Sequence, residues 1–298
     1  MINRDKKFPL LIKPIADKGV YQRILNEDAG WEYLNFEARL MKKDEKWAGN
    51  TYNNEYAFIL LGGNFSVRSD KGNWKTENGR KDVFSGIAHS LYMSRNTSFE
   101  IKAERDMTEI AYGWCETDRD YPARFKKPEE AAIEIRGGDN ATRQINSLLQ
   151  PGFNCHRLVS VEVYTPSGNW SSFPPHKHDT RKVDKKGNVT EACLHETYFY
   201  KIDRPQGFAI QRVYNDDRSL DEIAVARNND VVLVTEGYHP VAAGHGYNVY
   251  YLNFLAGSDQ SLANTDDPDH QWIYESWKGL DPRIPMVTSE MNNKNSSK

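Results

Sequence analysis

Residues 171–202 decide the fold: SSFPPHKHDT at 171–180, a polar insertion, then EACLHETYFYKI at 191–202. One residue separates His176 from His178. In a strand that spacing puts both imidazoles on one face, where their ring nitrogens can reach a common ion. Pro174 and Pro175 cannot donate to a ladder, so the strand begins at a sheet edge or a barrel mouth. Glu196 opens an aromatic strand in which Glu196, Tyr198 and Tyr200 share a face. Farther on, NNDVVLVTEGYHPVAAGHGYNVYYLNF at 228–254 runs through an apolar stretch to Gly237 and His239. Three imidazoles and one carboxylate suit a divalent transition metal, whether Zn, Mn, Fe, Co or Ni, with one or two positions open to water or substrate. His176, His178, Glu196 and His239 are therefore the expected ligands. His195 competes with Glu196, though neighbours in a strand point to opposite faces. His245 competes with His239, but lies between Gly244 and Gly246 as a turn residue would. His270 falls in a polar segment and reads as a surface residue.

Outside this stretch the chain is strand-like throughout. Its 298 residues suffice for one large or two ordinary domains, and 38% hydrophobic with 12% aromatic content allows a sizeable core. A formal net charge of −3 gives no footprint for nucleic acid or an anionic membrane. No run approaches the roughly 18 apolar residues of a membrane span. The basic N-terminus, MINRDKKFPLLIKP, lacks a secretory apolar core, so a cytoplasmic protein is expected. Three cysteines without a CxxC spacing argue for free thiols. Cys155 and His156 are strand neighbours and would not meet as a nucleophile pair.

Runs such as AFILLGGNFSVRS, TEIAYGWCE, RLVSVEVYTP and GFAIQRVY recur about every ten residues between Gly, Asn, Asp and Pro clusters, the signature of a sandwich or barrel. Helical turns are expected at ARLMKK, at ATRQINSLL and at DPDHQWIYESW. The polar stretch 121–144, with Gly137-Gly138, marks a linker. Residues 79–101 and 228–252 weakly echo each other, each passing from an Asp through apolar residues to a Gly and a His. Two copies of one barrel are expected: 1–135, metal-free with only His89; 136–284, carrying the metal; and a polar tail, 285–298.

The order His-x-His, Glu, His on short β-runs resembles the metal site of the cupin family, and NDVVLVTEGYHP resembles its second motif. Asn229 stands for the usual Gly, Thr235 for the usual Pro, and a single residue separates Gly237 from His239. These departures match one subfamily. FPPHKHDT, ETYFYKI, GFAIQRVYNDDRSLDE, DVVLVTEGYHPV, HGYNVYYLNFLAG and DPDHQWI, with TRQINSLL and a looser first half, resemble the 5-deoxy-glucuronate isomerases, bicupin enzymes of bacterial myo-inositol breakdown. A related hexuronate isomerase family has a similar layout and favours Glu196 over His195 and His239 over His245. The resemblance implies an all-β chain of two tandem cupin (double-stranded β-helix, jelly-roll) barrels with a few short helices. It also implies a metal-dependent aldose–ketose isomerase converting 5-deoxy-D-glucuronate to 2-deoxy-5-keto-D-gluconate. A small sugar acid would be its partner, with a homo-oligomer allowed. The reaction needs a general base, for which Glu162 and Tyr251 are candidates, and a cation for the substrate carboxylate, for which mid-strand Arg212 is chosen. Arg143 and Arg218 read as structural and Asp230 as a turn residue. An Fe(II) dioxygenase and a sugar-binding bicupin are the alternative functions.

Overall fold

A computed structural model describes residues 9–294. It forms two antiparallel β-barrels with only short helices. In the first, a six-stranded sheet runs in the order Arg124–Lys126, Ser90–Met93, Asn54–Gly62, Thr108–Glu116, Asn35–Met41, Gly19–Ile24. A four-stranded sheet of Lys46–Asn50, Ser98–Ala103, Phe65–Ser69 and Gly72–Lys75 faces it. In the second, a seven-stranded sheet runs Leu11–Ile12, Val231–Val234, Leu194–Ile202, Val249–Gly257, Val159–Thr165, Arg143–Leu149, Ala132–Arg136. Trp170–Ser171, Val241–Ala243, Ala209–Tyr214 and Asp221–Ala226 close that barrel.

The two large sheets pack back to back, so each is covered on both faces. In Asn54–Gly62, Phe58 and Leu60 fill the first barrel, while Ala57, Ile59 and Leu61 join the shared core between barrels. In Val249–Gly257, Val249 and Tyr251 face the second barrel's interior, and Tyr250, Leu252 and Phe254 face its neighbour. Burial on both faces turns the sequence alternation into continuous apolar runs. The barrels approach closely at Gly113, where an added Cβ would lie 2.5 Å from Phe254 Cδ1.

Two buried carboxylates tie the barrels together. Glu55 of the first accepts the backbone N–H groups of His156, Arg157 and Leu158 at 2.7, 2.7 and 3.1 Å. Glu162 of the second accepts from Arg80 Nη1 at 2.8 Å, Ala88 N at 3.2 Å and Asn146 Nδ2 at 3.1 Å. Unpaired, either carboxylate would be costly at zero exposure, so these contacts fix how the barrels sit.

Several elements differ from the sequence expectation. ARLMKK lies largely in the strand Asn35–Met41, and ATRQINSLL in the strand Arg143–Leu149. Both are buried on two faces, which removes the period-2 signal. The helical turns expected at DPDHQWIYESW are present, as the 3₁₀ helix Pro268–Ser276. Leu11–Ile12 pairs with Val232 and Val231, and Ala132–Arg136 pairs with Arg143–Ser147, so the first strand lies within the segment 1–135 and the second straddles its end, yet both extend the second barrel's sheet. The segment beginning at 285 packs rather than trails: Val287 and Asn292 are each 1% exposed. Asn292 accepts from Ile87 N at 2.9 Å and donates to Ile87 O at 3.0 Å. The basic residues before Pro9, and 295–298, lie outside the described residues. Among those described, no helix is long and apolar enough to cross a membrane.

Candidate metal centre

The second barrel carries the site at its mouth. His176–Lys177 is a short strand paired with Thr265–Asp266, entered through Pro174 and Pro175. Alternation sends His176 and His178 into the barrel and Lys177 outward to Asp216 and Asp179. Glu196 sits in Leu194–Ile202 opposite Val234, at the rim of the large sheet. Asn229, in the usual Gly position, adopts φ +69°, a left-handed conformation asparagine tolerates. Gly237 must be glycine: its φ is +87°, and a Cβ there would lie 2.5 Å from Tyr214 O. Its N–H donates to Asp179 Oδ2 at 2.9 Å, tying the His239 turn to the His-x-His segment.

His178, Glu196 and His239 place one donor atom each within 4.8 Å of one another, and all three are buried. Glu196 Oε2 lies 2.9 Å from His178 Nε2 and 3.4 Å from His239 Nε2. The His176 and His178 rings each stand with centroids 4.9 Å from that of His239. Every Nδ1 lies beside a backbone carbonyl: Gly237 O at 2.8 Å for His239, Leu194 O at 3.3 Å for His178 and Pro174 O at 3.4 Å for His176. Donation from Nδ1–H to a carbonyl leaves the Nε2 lone pair free, the arrangement that orients histidine ligands toward a metal. His239 Nε2 is buried without a hydrogen-bond partner. Burial holds His176 down at about 3 and His239 well below the usual imidazole range, so neither is a cation. Burial also pushes Glu196 up. Burial opposes a charge on His178, but its hydrogen bond to Glu196 raises it. Imidazole nitrogens gathered around a carboxylate fit a divalent cation of the borderline class.

The rivals lie elsewhere. His195 points to the opposite face and stacks on Trp31, with ring centroids 5.3 Å apart. His245 is exposed in a turn, and His270 lies 3.9 Å from Asp267 at the surface. His89 is buried against Phe125 in the first barrel.

A pocket opens beside the histidines. Tyr198, Tyr251, Ser172, Asn253, Arg143, Arg136 and Glu134 contribute to its walls. Of the three catalytic candidates, only Tyr251 faces it. Tyr251 Oη donates to Ser171 Oγ at 3.0 Å, and its ring lies 4.8 Å from Tyr198. Two placements correct the sequence reading. Glu162 is held between the barrels by Arg80, on the far face of its strand from the pocket-lining Val161 and Val163. Arg212 points outward and pairs with Asp221 through two contacts of 2.7 Å, because its neighbour Gln211 takes the inward position and accepts from Tyr200. The sequence reading missed Arg143 as a pocket residue. It is 8% exposed and donates from Nη1 to Phe173 O at 2.8 Å. Reading 143–149 as a strand would have found it, since Arg143, Ile145 and Ser147 then share the pocket face.

Known proteins resemble this chain over most of its length. The family model described as KduI/IolB matches residues 10–273. A 5-deoxy-glucuronate isomerase of Geobacillus thermodenitrificans is 41% identical over 261 residues, covering 87% of this chain and 93% of the relative. The Bacillus subtilis strain 168 protein of that name is 35% identical over 245 residues, 82% of this chain and 88% of its own. An IolB-like protein from Salmonella typhimurium LT2 superposes with a TM-score of 0.85 at 36% identity, covering 89% of this chain and 99% of that one. Bacillus subtilis oxalate decarboxylase, at 11% identity and a TM-score of 0.62 over 88% of this chain and 80% of its own, shares the two-barrel fold alone. Matched from before its first strand into the 3₁₀ helix Pro268–Ser276, the chain belongs to the KduI/IolB family.

Proposed function

We propose that this chain is a metal-dependent aldose–ketose isomerase that converts 5-deoxy-D-glucuronate to 2-deoxy-5-keto-D-gluconate, a step of myo-inositol breakdown. The observation that carries the reading is the convergence of two imidazoles, His178 and His239, on the buried Glu196 carboxylate, with the His176 ring against His239 and a pocket opening beside them. Relatives named 5-deoxy-glucuronate isomerase across most of the chain supply the substrate.

The reaction moves hydrogen from C2 to C1 and turns the C2 alcohol into a ketone; nothing else is gained or lost. His176, His178, Glu196 and His239 would hold the cation. When bound, it acts as a Lewis acid toward the aldehyde oxygen and the neighbouring hydroxyl, which makes the C2 proton acidic. Burial pushes the Tyr251 phenol up, so at neutral pH it enters as a proton donor to a substrate oxygen. Ser171 and Ser172, at 3.0 and 3.4 Å from its Oη, fix its direction. Tyr198, bonded to Ser172 at 3.0 Å, lies against Tyr251 and excludes water from that side.

The test is to incubate the purified chain with 5-deoxy-D-glucuronate in deuterated buffer and follow the C2 position by NMR. Ketose should form in a reaction that stops with chelator and resumes when Mn(II), Zn(II), Co(II), Ni(II) or Fe(II) is returned. Turnover indifferent to chelator, or oxygen uptake in step with substrate loss, overturns the reading.

A further inference from the structure

We infer that Arg143, backed by Arg136, recognises the carboxylate at the far end of the substrate and so selects acids over neutral sugars. The inference rests on the isomerase reading above and deepens it.

Arg143 is nine-tenths buried, yet among the described residues no carboxylate pairs with it. Its protein bonds run from Nη1 to two backbone carbonyls, Phe173 O at 2.8 Å and Ala141 O at 3.4 Å. Among the described residues, Nε and Nη2 make none. Burial pulls the guanidinium down, and Arg136 adds to that as a second positive charge. A buried cation without a counter-ion is costly, and retaining one beside a pocket points to an anion supplied from outside.

The sheet register makes the case stronger. Arg143 and Arg136 are direct cross-strand partners in the antiparallel pair of Arg143–Leu149 and Ala132–Arg136. Like charges placed directly opposite destabilise a sheet. Glu134 relieves only one of them, gripping Arg136 through contacts of 2.7 and 2.9 Å. Both arginines line the pocket that contains His176, His178 and Glu196. A planar guanidinium offering two free N–H directions suits bidentate capture of a carboxylate.

Position along the sheet fits a six-carbon acid. The strands Val249–Gly257 and Val159–Thr165 lie between the Glu196 strand and the Arg143 strand. Three strand spacings amount to roughly 14 Å. Side chains reaching inward from both ends leave room for an aldehyde at the histidines and a carboxylate at Arg143. Aldoses ending in a neutral group would leave Arg143 uncompensated.

The experiment compares 5-deoxy-D-glucuronate with its methyl ester, which keeps the reacting end and removes the charge. Wild type should favour the acid by at least about 100-fold in kcat/KM. In Arg143→Gln the acid's KM should rise about 100-fold, kcat should change less than about fivefold, and the preference for acid over ester should fall below about tenfold. Arg143→Lys should recover part of the acid's KM. Because Arg143 also holds Phe173 near the histidines, Arg136→Gln provides the second variant. It leaves that contact alone and should raise the acid's KM several-fold without affecting the ester. Melting temperature and bound metal per chain are measured for each variant. If wild type turns over the acid but Arg143→Gln retains its KM within twofold, or retains the acid preference, the assignment is wrong while the isomerase reading stands. If Arg143→Gln loses kcat on acid and ester alike together with its metal, Arg143 is structural and the assignment is again wrong. If wild type turns over neither compound, the isomerase reading itself fails.

Discussion

Replacing Glu162 by glutamine separates two roles that the chain's sequence leaves open. The carboxylate and the Arg80 guanidinium are both fully buried, 2.8 Å apart. Burial alone would push Arg80 down; the facing Glu162 carries it back up. Arg80 also donates to Leu60 O and Gly86 O, but its Nη2 already lacks a partner, and among the described residues Glu162 is the one carboxylate that pairs with it. Removing one charge from such a pair typically costs about 3–5 kcal/mol. Unfolding entropy of roughly 2.1 cal/mol/K per residue, over about 290 residues, gives ~0.6 kcal/mol per degree. Glu162→Gln should therefore lower the melting temperature by about 5–8 °C by that conversion. Arg80→Met combined with Glu162→Leu should recover most of the loss, because apolar replacement of a buried pair is often near neutral. Urea titration and differential scanning calorimetry give the stabilities, and initial rates at a temperature where each variant is folded give the activity. The folded Glu162→Gln enzyme should keep kcat within about threefold of wild type. A variant that melts within a degree of wild type but loses a hundredfold in kcat would make Glu162 the catalytic base and refute its placement between the barrels.

Three further perturbations follow from the geometry. Asp216 accepts from both Lys177, the residue between the two inward histidines, and Tyr238, which adjoins His239, the second contact at 2.8 Å. Asp216→Ala should weaken metal affinity by about tenfold in a competitive chelator titration without touching a ligand, in line with the effect of groups that orient ligands; unchanged affinity would show that the ligand segments hold their own positions. Returning metal at about 1,000 times its dissociation constant to chelator-treated protein should stabilise it by about 4 kcal/mol. Thermal melts should show that gain in wild type and in His245→Ala, and its loss in His178→Ala. Burial, aided by the charges of Arg80 and Lys127, lowers His89 from 6.5 to about 4. Because the folded value lies below the unfolded one, the stabilisation is complete above about pH 6.5 and is lost as pH falls through about 4, on the order of 3 kcal/mol in all. His89→Gln should flatten the urea midpoint between pH 7.5 and 4; an unchanged slope would place the acid sensitivity elsewhere.

The clustering of the candidate ligand side chains is legible in sequence because its signals are local. One intervening residue puts His176 and His178 on the same face, and adjacency puts His195 and Glu196 on different faces, whatever the rest of the chain does. Arg143 was hidden for the opposite reason. Arg143–Leu149 is buried on both sides, with Gln144 bonded to Met286 N at 2.7 Å on one and Arg143 in the pocket on the other. Polar residues on both faces erased the alternation that marks a strand, and the segment passed for a helix.

Glu162 shows what a single strand cannot reveal about a chain with two barrels. A carboxylate among valines reads either as an inward base or as an outward, solvated group, but a large sheet here has two interiors: one holds the pocket and the other the neighbouring barrel. Only cross-strand register separates them. Val163 pairs directly with Tyr251, and directly opposed residues share a face. Tyr251 lines the pocket, so Val163 does too, and Glu162, one residue away, must face the first barrel. The two candidates for the base were therefore mutually exclusive once the strands paired. The same parity decides Arg212: Gln211 meets Tyr200 inside the barrel at 2.7 Å, which leaves Arg212 outside with Asp221. Strand pairing, a non-local property, assigns the pocket wall, whereas the candidate ligands need only the pleat.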